Sequence, residues 1–290
     1  PITSVASKQL QPIYNKPMIY YSLTTLIMSG VRQILIISTH QDLPRFQELL
    51  GDGSQWGLTL RYEEQPEPKG IAEALLIGAD FIGDDAVFLM LGDNIVYGDL
   101  TFLRECIRSN GSGEATVFAY QVSNPSAYGI VEFDAEYKGV SLEEKPEEPR
   151  SNWAVPGMYI FSQGVVDITR QLKPSGRGEY EITDVNRVYL ERGRLNVKTI
   201  GRGLAWFDAG TPENLLNVSN FVQAIETRQG LTIGCPEEAA YNVGFIDEDG
   251  FNAAIRGIPS SPYRQTLERI SASIASRRVA RIRAAEKAAI

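Results

Sequence analysis

The sequence predicts an α/β protein: a mostly parallel mixed sheet covered by helices, with a β-rich part inserted and a helical C-terminus. Three observations carry this expectation. Short apolar runs alternate with segments of helical period through the first ninety or so residues, and continuous apolar strands belong to parallel sheets buried on both faces. After about Thr116 the pattern changes to strands separated by turn-rich segments. From Arg170 onward helical periodicity dominates again.

The elements follow in chain order. Pro17 to Ser29 reads as a helix opened by proline and closed by Gly30, and Gln33 to Ser38 as a short buried strand. A helix is expected over Leu43 to Leu50, a strand over Leu58 to Glu63, a helix over Ile71 to Phe81 and a strand over Ala86 to Leu91. In such a βαβα array, ligands sit at the carboxyl ends of strands. Gly129 to Phe133, Val140 to Glu144 and Asn152 to Phe161 supply the inserted strands. Arg170 to Glu191 returns to helix, Leu204 to Phe207 to strand, and Glu213 to Arg228 to a long amphipathic helix. The domain reading is 1–228 for the α/β part and 229–290 for a helical C-terminal region with a basic tail.

Composition narrows the chemistry. The chain has 290 residues, 43% apolar and 22% charged, which fits a soluble globular protein with a large core. No run approaches the roughly 18 apolar residues of a membrane span, and Pro1-Ile2-Thr3-Ser4 has no signal-peptide architecture, so the expected location is the cytoplasm, away from membranes. Lys and Arg total 28 against 36 for Asp and Glu, and the net charge of -8 argues against nucleic acid as a partner. Two cysteines, Cys106 and Cys235, and the lone His40 supply transition-metal and Ser-His chemistry poorly.

Two apolar strands end in aspartate. Phe88 to Leu91 runs into Gly92-Asp93-Asn94, and Ala205-Trp206-Phe207 into Asp208-Ala209-Gly210 before a helix start at Thr211-Pro212. Magnesium is held by one or two protein carboxylates plus substrate phosphates, so Asp93 and Asp208 suffice for it. A lone Asp93 reads equally well as a turn cap, and the second strand-end carboxylate shifts that balance. Glu143-Glu144-Lys145-Pro146 places charges at a strand end, where a fixed carboxylate accepts sugar hydroxyls and a fixed Lys meets phosphate; a solvated face is the plainer reading. In Pro174 to Glu179, flanking glycines leave Arg177 accessible, as they would any loop arginine.

Taken together, Lys8-Gln9-Leu10 with Pro12, Lys16-Pro17-Met18-Ile19, Gln65 to Gly70, Leu91 to Asn94, Tyr128-Gly129, Glu143 to Pro146 and Trp206 to Thr211 resemble the bacterial glucose-1-phosphate thymidylyltransferases, in unbroken order from Pro1 to about Phe251. The resemblance implies a Rossmann-like nucleotidyltransferase that joins dTTP and glucose 1-phosphate into dTDP-glucose and pyrophosphate with Mg2+. It implies a homotetramer under feedback by a dTDP-sugar, at the first step of dTDP-rhamnose-type sugar biosynthesis. By the same resemblance Asp93 and Asp208 hold the metal, Lys8 and Gln9 contact the nucleotide, and Lys145 and Arg177 bind the sugar phosphate, with Lys8, Lys145 and Arg177 catalytic. Gln65 and the backbone of Gly70 would meet the thymine. Tyr128, Gly129, Glu144, Val155 and Tyr159 would line the sugar, with Asn94 near ribose or sugar; Val155 and Tyr159 read equally as core residues.

Two departures stand out. The family opens with a strand and a G-G-x-G-T-R phosphate loop, and the sequence begins after them; a segment of about fifteen to twenty residues is therefore expected to be lacking, leaving the chain as given poorly stable and inactive. Ser271 to Ile290 is an Ala/Arg-rich helical stretch outside the resemblance. The rival readings are a catalytically dead sugar-nucleotide-binding homologue and a uridylyltransferase on the same sugar phosphate.

Overall fold

The computed structural model describes residues 6–176 and 178–288, with the backbone alone from 277 onward; Arg177 lies outside the described residues. A 3-10 turn at Lys8–Leu10 leads into a small hairpin of β1 (Pro12–Ile13) and β2 (Lys16–Pro17), with Tyr14 left-handed at its tip. The expectation that Pro17 opens a helix is corrected here. Pro17 pairs with Pro12, the Met18 N–H donates to the Gln11 carbonyl (2.9 Å), and α1 (Ile19–Met28) starts only afterwards.

β3 (Gln33–Ser38) and α2 (Leu43–Leu50) fall where the apolar pattern put them, and β4 (Thr59–Glu64) pairs with β3 in parallel, Gln33 opposite Thr59 through Ser38 opposite Glu64. The single helix expected over 71–81 is two, α3 (Glu73–Ile77) and α4 (Ala79–Ile82). Gly78 between them leaves helical geometry at ψ 8°, with the Leu35 side chain pressed against it. There follow β5 (Val87–Met90), β6 (Asn94–Tyr97), α5 (Thr101–Ser109), β7 (Ala115–Gln121), β8 (Gly129–Phe133) and β9 (Gly139–Glu144).

The strand expected over 152–161 is broken into β10 (Trp153–Ala154) and β11 (Met158–Phe161). Pro156 has no N–H to give a ladder, and the Gly157 N–H is spent on the Asn94 side chain (2.9 Å). The break forks the sheet. Both pieces pair with the same edge of β7, but β11 continues to β5 while β10 continues to β8 and β9. On its other edge β7 takes β12 (Leu195–Thr199) in parallel.

A continuous helix from 170 to 191 is likewise absent: α6 (Val165–Arg170) and α7 (Ile182–Glu191) flank a loop containing Pro174 and two glycines, the residues least tolerated inside a helix. The remaining elements are β13 (Ala205–Asp208), α8 (Pro212–Gln229), α9 (Pro236–Asn242), α10 (Glu248–Gly257) and α11 (Pro262–Ala288). The α/β class holds, as a mixed sheet in which β7/β12 and β3/β4 are parallel; the other described pairings are antiparallel because the middle of the chain returns by hairpins and bends. Among the described residues β3 and β5 each pair on one edge only.

Val117, Phe161, Val185 and Tyr189 centre the core under the forked sheet, and Leu23, Ile27, Phe46, Trp56 and Ala240 centre a second one where α9 covers α1. Between these layers β6 and β13 form their own antiparallel pair, with Asn94 opposite Asp208. No helix among the described residues is long and apolar enough to cross a membrane.

Candidate active site

Pairing of β13 with β6 brings the two strand-end aspartates together. Asp208 pairs with Asn94, and the Ala209 N–H donates to the Asp93 carbonyl (2.9 Å). Asp93 is buried, and its carboxylate takes Lys8 on Oδ2 as an ion pair and the Asn94 amide on Oδ1 (3.1 Å). Among the described residues its side chain caps no turn; its partners are a lysine and an amide. Asp208 accepts from the Gly210 N–H (3.0 Å), while Thr211 caps α8 by accepting from the Asn214 N–H (3.2 Å), so cap and carboxylate are separate devices.

Burial pushes the Asp208 carboxyl above the usual aspartate value and the Asp93 carboxylate adds to the rise, against the pull of Lys8, the Gly210 N–H and Lys145. A buried and a half-buried carboxylate that repel one another, with all-oxygen donors, suit a hard divalent cation whose other ligands come from phosphate. Lys8 and Lys145 lie within electrostatic reach of the same point.

Asn94 is where the sequence reading changes. It is only 3% exposed, and its Oδ1 accepts from both the Gly157 N–H (2.9 Å) and the Trp206 indole N–H (2.7 Å). Two donors on one atom fix the amide orientation, so the NH2 faces Asp93. Asn94 therefore braces the carboxylate. A Cβ on Gly157 would stand 2.6 Å from the Leu91 side chain and 2.7 Å from Asn94, which is why glycine occupies that position. Trp206, quoted only as part of a motif in the sequence, also lies edge-on to Tyr128, ring centres 5.2 Å apart.

The expected sugar residues gather along β8 and β9. Gly129 sits opposite Glu144, the Lys145 N–H donates to the Tyr128 carbonyl (3.1 Å) and the Val155 N–H to the Gly129 carbonyl (2.8 Å). Lys145 is left-handed (φ 43°), a conformation rarely adopted outside glycine. Glu144 accepts from the Thr183 hydroxyl (2.7 Å). Thr183 was not foreseen, since nothing in its local sequence shows that α7 packs on β9. Tyr159 is buried and stacks on Phe161 (6.1 Å); burial raises its phenol, and Glu144 and Asp93 raise it further. Val155 packs on the same core.

The residues expected on the base side lie at and beyond the end of β4. The Gln65 N–H extends the ladder to the Ser38 carbonyl (2.8 Å), and its side chain turns toward Gly70 and Glu73. Gly70 (φ 99°) lies against Tyr180, whose carbonyl a Cβ would approach to 2.4 Å. Gln9 packs over Gly92, and Arg177 lies outside the described residues.

Paired carboxylates and lysines at one mouth of an α/β sheet suit phosphate chemistry, and the nucleotidyl transferase family model matches residues 1–225: the chain belongs to that family. More particularly, it is 54% identical over 269 residues to the glucose-1-phosphate thymidylyltransferase of Mycolicibacterium smegmatis, covering 92% of each chain, and 47% identical over 273 residues to that of Neisseria meningitidis, covering 93% and 94%. A Bacillus anthracis structure with sucrose, assigned to the same enzyme class, superposes with a TM-score of 0.71 at 36% identity, covering 76% of this chain and 88% of the other. A UDP-glucose pyrophosphorylase with UDP-glucose shares the fold at 23% identity, TM-score 0.68, covering 77% and 93%.

Proposed function

We propose that the chain transfers a thymidylyl group from dTTP to glucose 1-phosphate, giving dTDP-glucose and pyrophosphate. The observation that carries this reading is the neighbouring pair Asp93 and Asp208 with Lys8 on one of them, in a chain about half identical to glucose-1-phosphate thymidylyltransferases over most of its length. A phosphate oxygen of the sugar attacks the α-phosphorus; the new O–P bond forms as the bond to the β-phosphate oxygen breaks, and pyrophosphate leaves with that electron pair. The nucleophile is already anionic, so no side chain need abstract a proton. Catalysis is positioning and charge neutralisation.

Each residue then has a task. Asp93 and Asp208 would hold a magnesium ion, which would supply neutralising charge at the phosphates. Lys8 meets the nucleotide phosphates from the rim of the carboxylate pair. Lys145, with Arg177, meets the sugar phosphate, and Glu144, held by Thr183, accepts a sugar hydroxyl. The family resemblance further supports a nucleotidyltransferase part over 1–228, a cytoplasmic homotetramer and a place at the head of dTDP-rhamnose-type sugar synthesis.

The test is pyrophosphate release with dTTP or UTP and glucose 1-phosphate. Asp93→Asn and Asp208→Asn should each cost on the order of a hundredfold or more at limiting magnesium. Near-wild-type turnover by either variant removes that residue from the metal site, and a preference for UTP replaces the thymidylyl reading with the uridylyl one.

A further inference from the structure

Gln65 is held by a residue that no sequence motif singled out. Its Nε2 donates to the Glu73 carboxylate (2.7 Å) and also faces the Gly70 carbonyl (3.4 Å). Both neighbours are acceptors only. The terminal atom between them must be the NH2, since the opposite flip would set the amide oxygen against a carboxylate and a carbonyl. Glu73 itself is fixed on the first turn of α3, and the loop from Gln65 to α3 is pinned at its far end, where the Tyr180 N–H donates to the Lys69 carbonyl (2.7 Å) and the Ala72 N–H to the Tyr180 carbonyl (3.1 Å). Among the described residues, no donor reaches Gln65 Oε1 and no acceptor meets the Gly70 N–H.

We propose that Glu73 determines base selectivity by locking the Gln65 amide with its carbonyl oxygen toward the base. This rests on the reading of Gln65 and Gly70 as the base contact. One open acceptor beside one open donor matches a keto pyrimidine, whose ring N3–H donates and whose adjacent carbonyl accepts. Cytosine presents a lone pair at N3, which would face the Gln65 oxygen. An unlocked glutamine would turn over and accept cytosine; a locked one leaves it unpaired, and a site built to hydrogen-bond rejects the analogue that cannot comply. Glu73 touches no substrate in this account. It is a positioning residue acting through Gln65.

The experiment measures dTTP and dCTP binding by calorimetry, and kcat/KM for each with glucose 1-phosphate, in the wild type, Glu73→Ala and Glu73→Gln. Freeing the amide in Glu73→Ala should lower the dTTP-to-dCTP preference by about ten- to a hundredfold, the worth of one mismatched hydrogen bond. A large part of that change should be an absolute gain in dCTP binding, with the melting temperature close to wild type. Glu73→Gln offers a donor as well as an acceptor, so its amide can turn together with Gln65, and its preference should fall between those of the wild type and Glu73→Ala. No general loosening of the fold makes dCTP bind more tightly. Parallel weakening of both nucleotides in Glu73→Ala, or an unchanged ratio, overturns the role of Glu73 while leaving the thymidylyl reading intact. A wild type that binds neither dTTP nor UTP overturns both.

Discussion

At the scale of single residues, the site depends on side chains whose orientation is forced by their partners. Trp206, Asn94 and Asp93 form a buried relay: the indole N–H fixes Asn94, and Asn94 fixes one carboxylate oxygen. Such partners behind a metal ligand typically govern 10–100-fold in metal affinity. Trp206→Phe keeps an aromatic ring against Tyr120 and Tyr128 but leaves Asn94 with one donor, so its amide can turn. The expected outcome is divalent-cation binding about tenfold weaker, read by manganese electron paramagnetic resonance without substrate, and an unchanged KM for glucose 1-phosphate at saturating metal. Unaltered manganese affinity would reduce Trp206 to a packing residue. Lys145 gives a complementary expectation. Lys145→Ala should lower kcat/KM for glucose 1-phosphate by about ten- to a thousandfold, the loss of a charge-assisted phosphate contact, with dTTP binding much less affected. Equal losses for both substrates would place Lys145 elsewhere.

At the scale of elements, Asp42 at the start of α2 ties down the segment that carries Lys8. One of its oxygens accepts from the Ser7 N–H (2.9 Å), the Ser7 hydroxyl (2.7 Å) and the Thr39 hydroxyl (3.3 Å), and the other accepts from Arg45 (2.9 Å). Burial alone would raise this carboxyl, but the Ser7 hydrogen bonds and the Arg45 charge together hold it below the ordinary aspartate value. A carboxyl depressed in the folded state stabilises the fold above its unfolded pKa, and the contribution fades as pH falls through the folded one. Asp42→Asn should therefore cost about 1 kcal/mol at pH 7, and the gap between its denaturation midpoint and the wild type's should begin to close only below about pH 4, as pH falls toward the depressed folded value. A gap that stays constant into acid would assign the loss to packing. The same scale shows what the sequence could and could not disclose. β3, α2 and β8 match their expected limits because each is bounded by its own local breakers. The elements that broke did so through partners far along the chain. Pro17 is drawn into a hairpin by Gln11, the Gly157 N–H is taken by Asn94, and Gly78 lies against Leu35; none of these is visible in a window of local periodicity. The carboxylate pair was legible because strand ends in α/β sheets carry sites, whereas Glu73, Thr183 and the Trp206 relay are defined only by who packs on whom.

At the scale of the whole molecule, the first hairpin is joined to the C-terminal helices through a lysine taken out of water. Lys16 is 2% exposed; its ammonium donates to Glu226 (2.7 Å) and Asn15 (2.6 Å) and lies 5.5 Å and 5.6 Å from the ring centres of Tyr21 and Tyr263. Glu226, near the end of α8, also accepts from Asn15 (3.0 Å) and from the Ile233 N–H (2.8 Å) just before α9. Tyr263 on α11 donates to the buried Glu237 on α9. One charge pair thus gathers the hairpin, α8, the lead into α9 and the last helix, while the core residues beside it, Ile13, Met18, Val222 and Ile233, supply the apolar packing. Burial lowers the Lys16 pKa and the Glu226 carboxylate opposes that shift, the balance expected of a buried ion pair. Removing one partner should therefore cost far more than removing both. Lys16→Met leaves Glu226 buried and uncompensated, an expected loss of about 3–5 kcal/mol, whereas Lys16→Met with Glu226→Gln, which retains an acceptor for the Ile233 N–H, should recover more than half of it. Urea denaturation of both variants and of Glu226→Gln alone closes the cycle. Losses that simply add would mean that Lys16 and Glu226 act as independent anchors, and that the hairpin and the C-terminal helices are held together by their apolar surfaces instead.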